Sequence, residues 1–411
     1  MSELYTLPDG WNLNKFDEIK TSNIIGLVKN QHQQSVEYSY KYVKMNNITN
    51  NNEFTFENIV NVEATDDEIS KFSLSKGDLL FNTRNSYELV GKTCIFNYDL
   101  DEAILYNNNI MRIRFKDFIN PYFIAYQFSS NFLQQQLHNI KSGTTNVSAI
   151  YYKTLKDIDV IIPPLEEQKR IVAKLDNLFA KIDKAITLHQ KNIDEANVFM
   201  ASVLNDVFLE LEEKYGLNIL SEVVKINSGI ALPSIFKDKE SMNGEYEFFK
   251  VAQMNNDKRV MKGADLNFTL NQSKEFKIKL FPKGSILIPK RGGAILTNKK
   301  RIMERDASYD SNIMGLKADN KILSDEFLFV YLDSINLCDF VDTSTIPQIN
   351  NKHIDMMNIS LPPLKTQQKV VSYLDEISQK MEKIKQIQKE KMQSLKALKA
   401  SILDQAFKGE L

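Results

Sequence analysis

The chain repeats itself, and no other feature constrains its fold as strongly. Pro163-Pro164-Leu165-Glu166-Glu167-Gln168-Lys169-Arg170-Ile171-Val172 returns as Pro362-Pro363-Leu364-Lys365-Thr366-Gln367-Gln368-Lys369-Val370-Val371. The offset from Pro163 to Pro362 is 199 residues, and it holds without a gap well beyond this segment. Leu175-Asp176 meets Leu374-Asp375, Ala201-Ser202-Val203-Leu204 meets Ala400-Ser401-Ile402-Leu403, and Phe208 meets Phe407. Backwards, Lys153, Ile150 and Val147 meet Lys352, Ile349 and Ile346. Further upstream the identity fades while the order of elements persists. Lys76-Gly77-Asp78-Leu79-Leu80 resembles Lys283-Gly284-Ser285-Ile286-Leu287, a turn leading into an apolar strand, and Asn109-Ile110-Met111 resembles Asn312-Ile313-Met314. Each half then predicts a helix, one capped by Asn120 with Pro121 in first position, the other by Ser324. Variable and similar segments alternate, so the chain reads as two copies of one unit doing one job on two targets.

Each Pro-Pro pair ends a strand-like run, 158–162 or 357–361, and proline forces an extended exit. Neither proline nor glycine follows until Gly216 and Gly409. In the second copy Val370, Leu374, Ile377, Met381, Ile384, Gln388, Lys391, Leu395, Leu398 and Ile402 alternate at spacings of four and three, which predicts a coiled-coil seam. The first copy places Ile171, Leu175, Leu178, Ile182, Ala185, His189, Asn192, Ala196, Phe199 and Val203 at the matching positions. Both seams are apolar at the ends and polar in the middle, so the helices are expected to pair antiparallel about a pseudo-two-fold axis, with His189 and Gln388 in its polar layer. A helix of roughly 40–45 residues spans about 60–67 Å, enough to hold two heads apart along something long, and DNA is the obvious long object.

The four histidines make no metal-ligand spacing with each other or with Cys94 and Cys338, and two distant cysteines make no disulfide framework. The opening Met1-Ser2-Glu3-Leu4-Tyr5 lacks a signal peptide's basic and apolar regions, and no apolar run approaches the roughly 20 residues of a membrane span. A cytoplasmic protein is expected. The net charge of −1 gives no global attraction for phosphate, but Lys283, Lys290, Arg291, Lys299, Lys300, Arg301 and Arg305 form a local excess with only Glu304 against them.

Catalytic signatures are weak. The residues flanking the Pro-Pro pairs, Ile162 and Leu165 or Leu361 and Leu364, can neither accept from a base nor stack on one as an amino-methyltransferase motif requires. No Gly-x-Gly occurs, and Gly91-Lys92-Thr93 has Ser86 where a phosphate-binding loop needs its leading glycine. Asp265, Glu275 and Lys277 have a loose metal-nuclease spacing without a counterpart in the first half. The chain is expected to choose a target while something else acts on it.

The doubled Leu/Ile-Pro-Pro-Leu-x-x-Gln segment with its long amphipathic helix resembles the specificity subunits of type I restriction–modification systems. So do the opening Leu7-Pro8-Asp9-Gly10-Trp11, Thr83-Arg84-Asn85 with Val90-Gly91-Lys92, and Ser142-Gly143-Thr144-Thr145 ahead of the first Pro-Pro. The second half departs from the family with Ser344-Thr345-Ile346-Pro347-Gln348, and it lacks a Gly-Trp start. The resemblance implies an α/β (α+β) chain in which two mixed α/β target-recognition domains, 1–161 and 213–360, are separated by two long antiparallel coiled-coil helices, 162–212 and 361–411. It further implies that each domain reads half of a split site in double-stranded DNA and that the helices measure the gap. Two methyltransferase subunits would pack on the helices, translocase–nuclease subunits would join for restriction, and S-adenosylmethionine, ATP and Mg²⁺ would belong to those partners, none to this chain.

Reading bases requires Arg, Lys, Asn or Gln at groove edges, with cations and hydroxyls on phosphates. Arg84 and Asn85, then Lys290 and Arg291, are the expected readers, and Gly292 with Gly293 lets the backbone approach DNA closely. Lys299, Lys300 and Arg301 are expected on phosphates, and the polar stretches Thr144, Thr145, Asn146 and Thr345 to Gln348 come next. Leu175, Leu178, Ile182, His189, Leu374, Ile377, Met381 and Gln388 are expected along the seam on which the helices pair. A rival reading is a coiled-coil scaffold joining two protein-binding modules, and another is a nuclease built on Asp265, Glu275 and Lys277.

Overall fold

The computed structural model describes residues 7–144, 146–236, 244–341 and 346–411. It divides into a first unit, Met1–Gln190 with Lys389–Leu411, and a second, Lys191–Gln388. This cuts both long helices, whereas the sequence reading set them apart as segments of their own. Among the described residues no helix is long and apolar enough to cross a membrane.

In the first unit β1 (Lys20–Ile25), β2 (Asp78–Asn82), β3 (Thr93–Phe96) and β4 (Ile110–Phe115) form an antiparallel sheet in the order β1-β4-β2-β3. In the second, β5 (Val224–Ser228), β6 (Ile286–Pro289), β7 (Arg301–Ile302) and β8 (Ile313–Ala318) repeat that order as β5-β8-β6-β7. A three-stranded sheet accompanies each. Tyr40–Val43 lies between antiparallel Val60–Val62 and parallel Ile104–Tyr106, and Tyr246–Phe249 lies between antiparallel Leu266–Phe268 and parallel Ser308–Tyr309. Topology therefore persists where sequence identity has faded. The inner strands β2 and β6 are buried along their whole length, as their apolar runs require.

Helix α1 (Pro121–Phe128) starts with Asn120 accepting from the Tyr122 amide and Pro121 in its first turn. The long helix α2 (Leu165–Tyr215) has 51 residues. Helix α3 (Asp325–Ser334) starts with Ser324 accepting from the Phe327 amide, and α4 (Leu364–Lys408) has 45 residues. Gln168 and Gln367, both fully buried, do the same work in the two units. The Gln168 amide donates to the Pro163 and Phe118 carbonyls at 2.8 and 3.0 Å and accepts from the Asn120 amide at 2.8 Å. Gln367 donates to Pro362 and Ile322 at 2.9 and 2.7 Å and accepts from Ser324 at 2.8 Å. The glutamine of the repeated motif thus ties strand exit, long helix and the cap of α1 or α3 together.

Within each unit α2 and α4 run antiparallel. Arg170 reaches the Leu411 carbonyl and Lys399 the Asp183 carboxylate, both at 2.8 Å, in the first unit. In the second, Asn197 accepts from Lys385 at 3.0 Å and Gln388 accepts from Asn192 at 3.4 Å. Leu175, Ile182 and Leu374 are buried, while His189, Met381 and Gln388 are half-buried on the same stripe. Leu178 and Ile377 are half-buried beside it. The intervening positions differ from the expected heptads by one residue. Asn192, Phe199, Ile384, Lys391 and Leu398 are exposed, and Ile193, Met200, Lys385, Met392 and Lys399 turn inward instead. Because Ile384 and Leu398 are apolar, spacing alone does not separate the exposed column from the inward one. Lysine stems cover apolar surface while their ammonium groups seek polar partners, and Lys399 lies 4.7 Å over the Phe179 ring while pairing with Asp183.

Candidate nucleic-acid interface

The turns at one end of each four-stranded sheet gather the expected readers. In the first unit β1 and β2 end where β4 begins: the Gly26 amide donates to Ile110, and the Thr83 amide to Asn109. The chain then leaves β2 through Arg84–Asn85, which pairs antiparallel with Ser148–Ala149, itself paired with Ser142–Gly143. Gly143 has a φ of +122°, and a Cβ there would lie 2.3 Å from the Val147 carbonyl, so only glycine closes this hairpin. Arg84 and Asn85 thereby lie on one small sheet, with Thr144 and Asn146 between its other two strands. The exposed Arg84 side chain has no hydrogen-bond partner among the described residues, whereas Asn85 accepts from the Ser86 amide and the Thr144 hydroxyl from the Val147 amide. Thr145 lies outside the described residues.

The second unit repeats the arrangement. The Gly229 amide donates to Ile313, Lys290 to Asn312, and Ile349 to Lys290. Arg291 pairs with Gln348, and the Gly292 amide donates to Pro347. Gly292 has a φ of +72° with open space where a Cβ would stand, which brings the backbone to the surface. Arg291 is exposed without a hydrogen-bond partner among the described residues, and Lys290 donates to the Ser228 hydroxyl at 3.0 Å. Thr345 lies outside the described residues.

The basic run does not hold up as one surface. Lys299 is half-buried and bonded to Asn255. Lys300 is only 1% exposed, its ammonium spent on the Ile335 carbonyl at 2.7 Å and Asn298 at 2.8 Å. Arg301, also buried, donates to the Lys300 and Met254 carbonyls. The phosphate role expected of Lys300 and Arg301 is therefore corrected: they brace the loop from within, since β7 begins at Arg301 and turns both inward. Burial holds the Lys300 amine down to about 8. Its unfolded value is about 10.4, so between those two the unfolded chain binds more protons, and stability rises with pH through this group from about 8 to about 10. Lys300→Met should erase that rise, worth on the order of 2 kcal/mol. The check is the stability difference between the two proteins from pH 7.5 to 10, and a difference that stays flat would refute the assignment.

Sequence reasoning missed the stretch at 28–34. Leu27 bridges Asn107 and Gln34 bonds Lys44 and the Lys29 carbonyl, which sets this stretch at the same sheet end. Gln31 and His32 are exposed there without side-chain partners among the described residues. The run Asn30-Gln31-His32-Gln33-Gln34, five amide or imidazole side chains in succession, was the signal available. Asp265 accepts from Gln253, Glu275 ends a short helix and Lys277 takes a left-handed turn. Among the described residues no group of three His, Cys, Asp or Glu could hold a metal ion. Lys92 donates to the Ile48 carbonyl at 2.7 Å.

The family model described as type I restriction modification DNA specificity domain matches residues 8–196 and again 213–391. The chain is 25% identical over 426 residues to the protein assigned as the MjaX type I restriction enzyme specificity subunit of Methanocaldococcus jannaschii, covering 96% of this chain and 93% of that one. It is 24% identical over 432 residues to the StySPI specificity subunit of Salmonella potsdam, covering 98% and 90%. A chain from a structural study of assembly and conformational transition in a type I R-M system superposes with a TM-score of 0.79 at 22% identity, over 99% of this chain and 100% of that one. The HsdS subunit of Thermoanaerobacter tengcongensis superposes with a TM-score of 0.56 at 22% identity, over 100% and 99%. Two matches in tandem, spanning both units, place this chain in the type I restriction–modification DNA specificity family.

Proposed function

We propose that this chain is the DNA-reading subunit of a type I restriction–modification complex, each unit reading one half of a split site and the paired helices setting the gap. The duplicated sheet end carries the reading. An arginine with no side-chain partner among the described residues, Arg84 on a strand pair and Arg291 on an isolated bridge, stands at that end in each unit, and a planar guanidinium suits the O6 and N7 acceptors of guanine. With a net charge of −1, attraction for phosphate must come from such local groups. The chain itself supplies recognition, not chemistry. Methyltransferase subunits pack on the helices, translocase–nuclease subunits join them, and S-adenosylmethionine, ATP and Mg²⁺ sit on those partners. The complex works in the cytoplasm, where its DNA lies.

Selection from a random duplex pool should return two short defined halves with a fixed undefined gap. Affinity should fall steeply with salt. Arg84→Ala should cost about 1–3 kcal/mol and relax one position in one half only, with Arg291→Ala doing the same in the other. A single undivided motif would overturn the two-headed reading, and salt-insensitive or absent binding would favour a protein-binding scaffold.

A further inference from the structure

Val147 and Ile346 occupy the same place in the two repeats and are 61% and 70% exposed. A branched aliphatic left in water gains nothing from folding, although single exposed ones are ordinary on any surface. These two are set apart by their geometry. Arg84 pairs with Ala149 and Arg291 with Gln348, and in each unit the aliphatic stands two residues before the arginine's partner. Around it the chain differs: Arg84 is followed by Asn85-Ser86-Tyr87, Arg291 by Gly292-Gly293-Ala294. The frame thus keeps an arginine and an aliphatic at one mutual spacing while the neighbouring residues change.

From that spacing, and resting on the DNA-reading function above, we propose that Val147 and Ile346 each contact the 5-methyl group of a thymine. The major groove offers one apolar group at its base edges, and it is that methyl. Two residues along an extended chain cover about 7 Å, and successive base pairs are about 3.4 Å apart. The arginine and the aliphatic therefore reach base pairs of one half-site, close to each other, in both heads. Divergent stretches such as 28–34 supply what differs between the two heads, and the aliphatic supplies a contact they share.

Deoxyuridine removes the methyl and nothing else. Once selection has defined the site, each thymine is replaced in turn and binding to the chain is measured by fluorescence anisotropy. One replacement in each half should weaken binding about threefold to fivefold, the equivalent of one methyl leaving an apolar contact. Val147→Ser should cause a similar loss and abolish the deoxyuridine effect in one half alone, with Ile346→Ser doing so in the other. Both positions are exposed, so the variants should melt with the parent. Equal binding to thymine and deoxyuridine at every position would overturn the proposal while leaving the DNA-reading function intact. Normal DNA binding by Val147→Ser with lost binding to the modification subunit would overturn it in favour of a protein contact. Failure to select any sequence would instead remove the DNA-reading function on which it rests.

Discussion

Phe407→Ala should cost the first unit about 3–5 kcal/mol, although the residue stands near the opposite end of the sequence from the sheet it supports. Phe407 is buried, with its ring edge-on to Phe123 of α1 at 5.2 Å. With Leu403 and Ala406 it belongs to the cluster formed by Leu79, Met111, Phe123, Ile171 and Leu175. Removing the ring leaves a cavity beside Phe123 in that cluster, and a packed core relaxes poorly into such a space. Its repeat counterpart Phe208 meets Phe327 and Tyr331 at 5.7 and 5.6 Å in the second unit, but it is only half-buried, so Phe208→Ala should cost less. Two cooperative units make a single unfolding midpoint a poor reporter. Native-state hydrogen exchange read separately on β1–β4 and β5–β8 is the suitable measurement. Protection should collapse on β1–β4 and persist on β5–β8. An equal loss in both units would mean that Phe407 does not act through the first core.

Much of this fold is legible from the residues. The caps at Asn120 and Ser324, the apolar strands after Gly77 and Gly284 and the two long helices all depend on local patterns, and the structure has them. What failed to show depends on which side of an element a residue faces. Helical spacing alone does not distinguish Ile384 from Lys385, because an aliphatic tolerates water and a lysine stem tolerates an interface. A run of seven cations reads as a surface, yet a two-residue strand turns Lys300 and Arg301 inward, where backbone carbonyls accept from them. The candidate interface is scattered along the sequence, Arg84 far from Thr144 and Lys290 far from Gln348. No local pattern states that Arg84 pairs with Ala149, since that register is set over more than sixty residues by the sheet between them.

Gln168→Leu should be as costly as any single change in the first unit, about 3–6 kcal/mol, although it conserves volume and adds apolar character. The reason is an accounting one. The side chain satisfies the Pro163 and Phe118 carbonyls and the Asn120 amide; it is itself completely buried, with the Pro163 bond fully and the other two partly shielded from water. Leucine would strand all three groups, and each buried backbone group left unpaired costs about 1–3 kcal/mol. Gln168→Glu should be worse at neutral pH, because a carboxylate would face two carbonyl oxygens, and acid should partly rescue it by restoring one donor. A structural filler would behave oppositely, tolerating leucine and showing no acid rescue, so urea unfolding of both variants at pH 5 and pH 8 separates the two roles. The same pair of changes at Gln367 should weaken the second unit alone. If the helices set the gap between half-sites, these glutamines have a second readout. They fix the angle at which α2 or α4 leaves the strand before it, so a stable remnant of Gln168→Leu should accept a wider range of gap lengths than the parent chain.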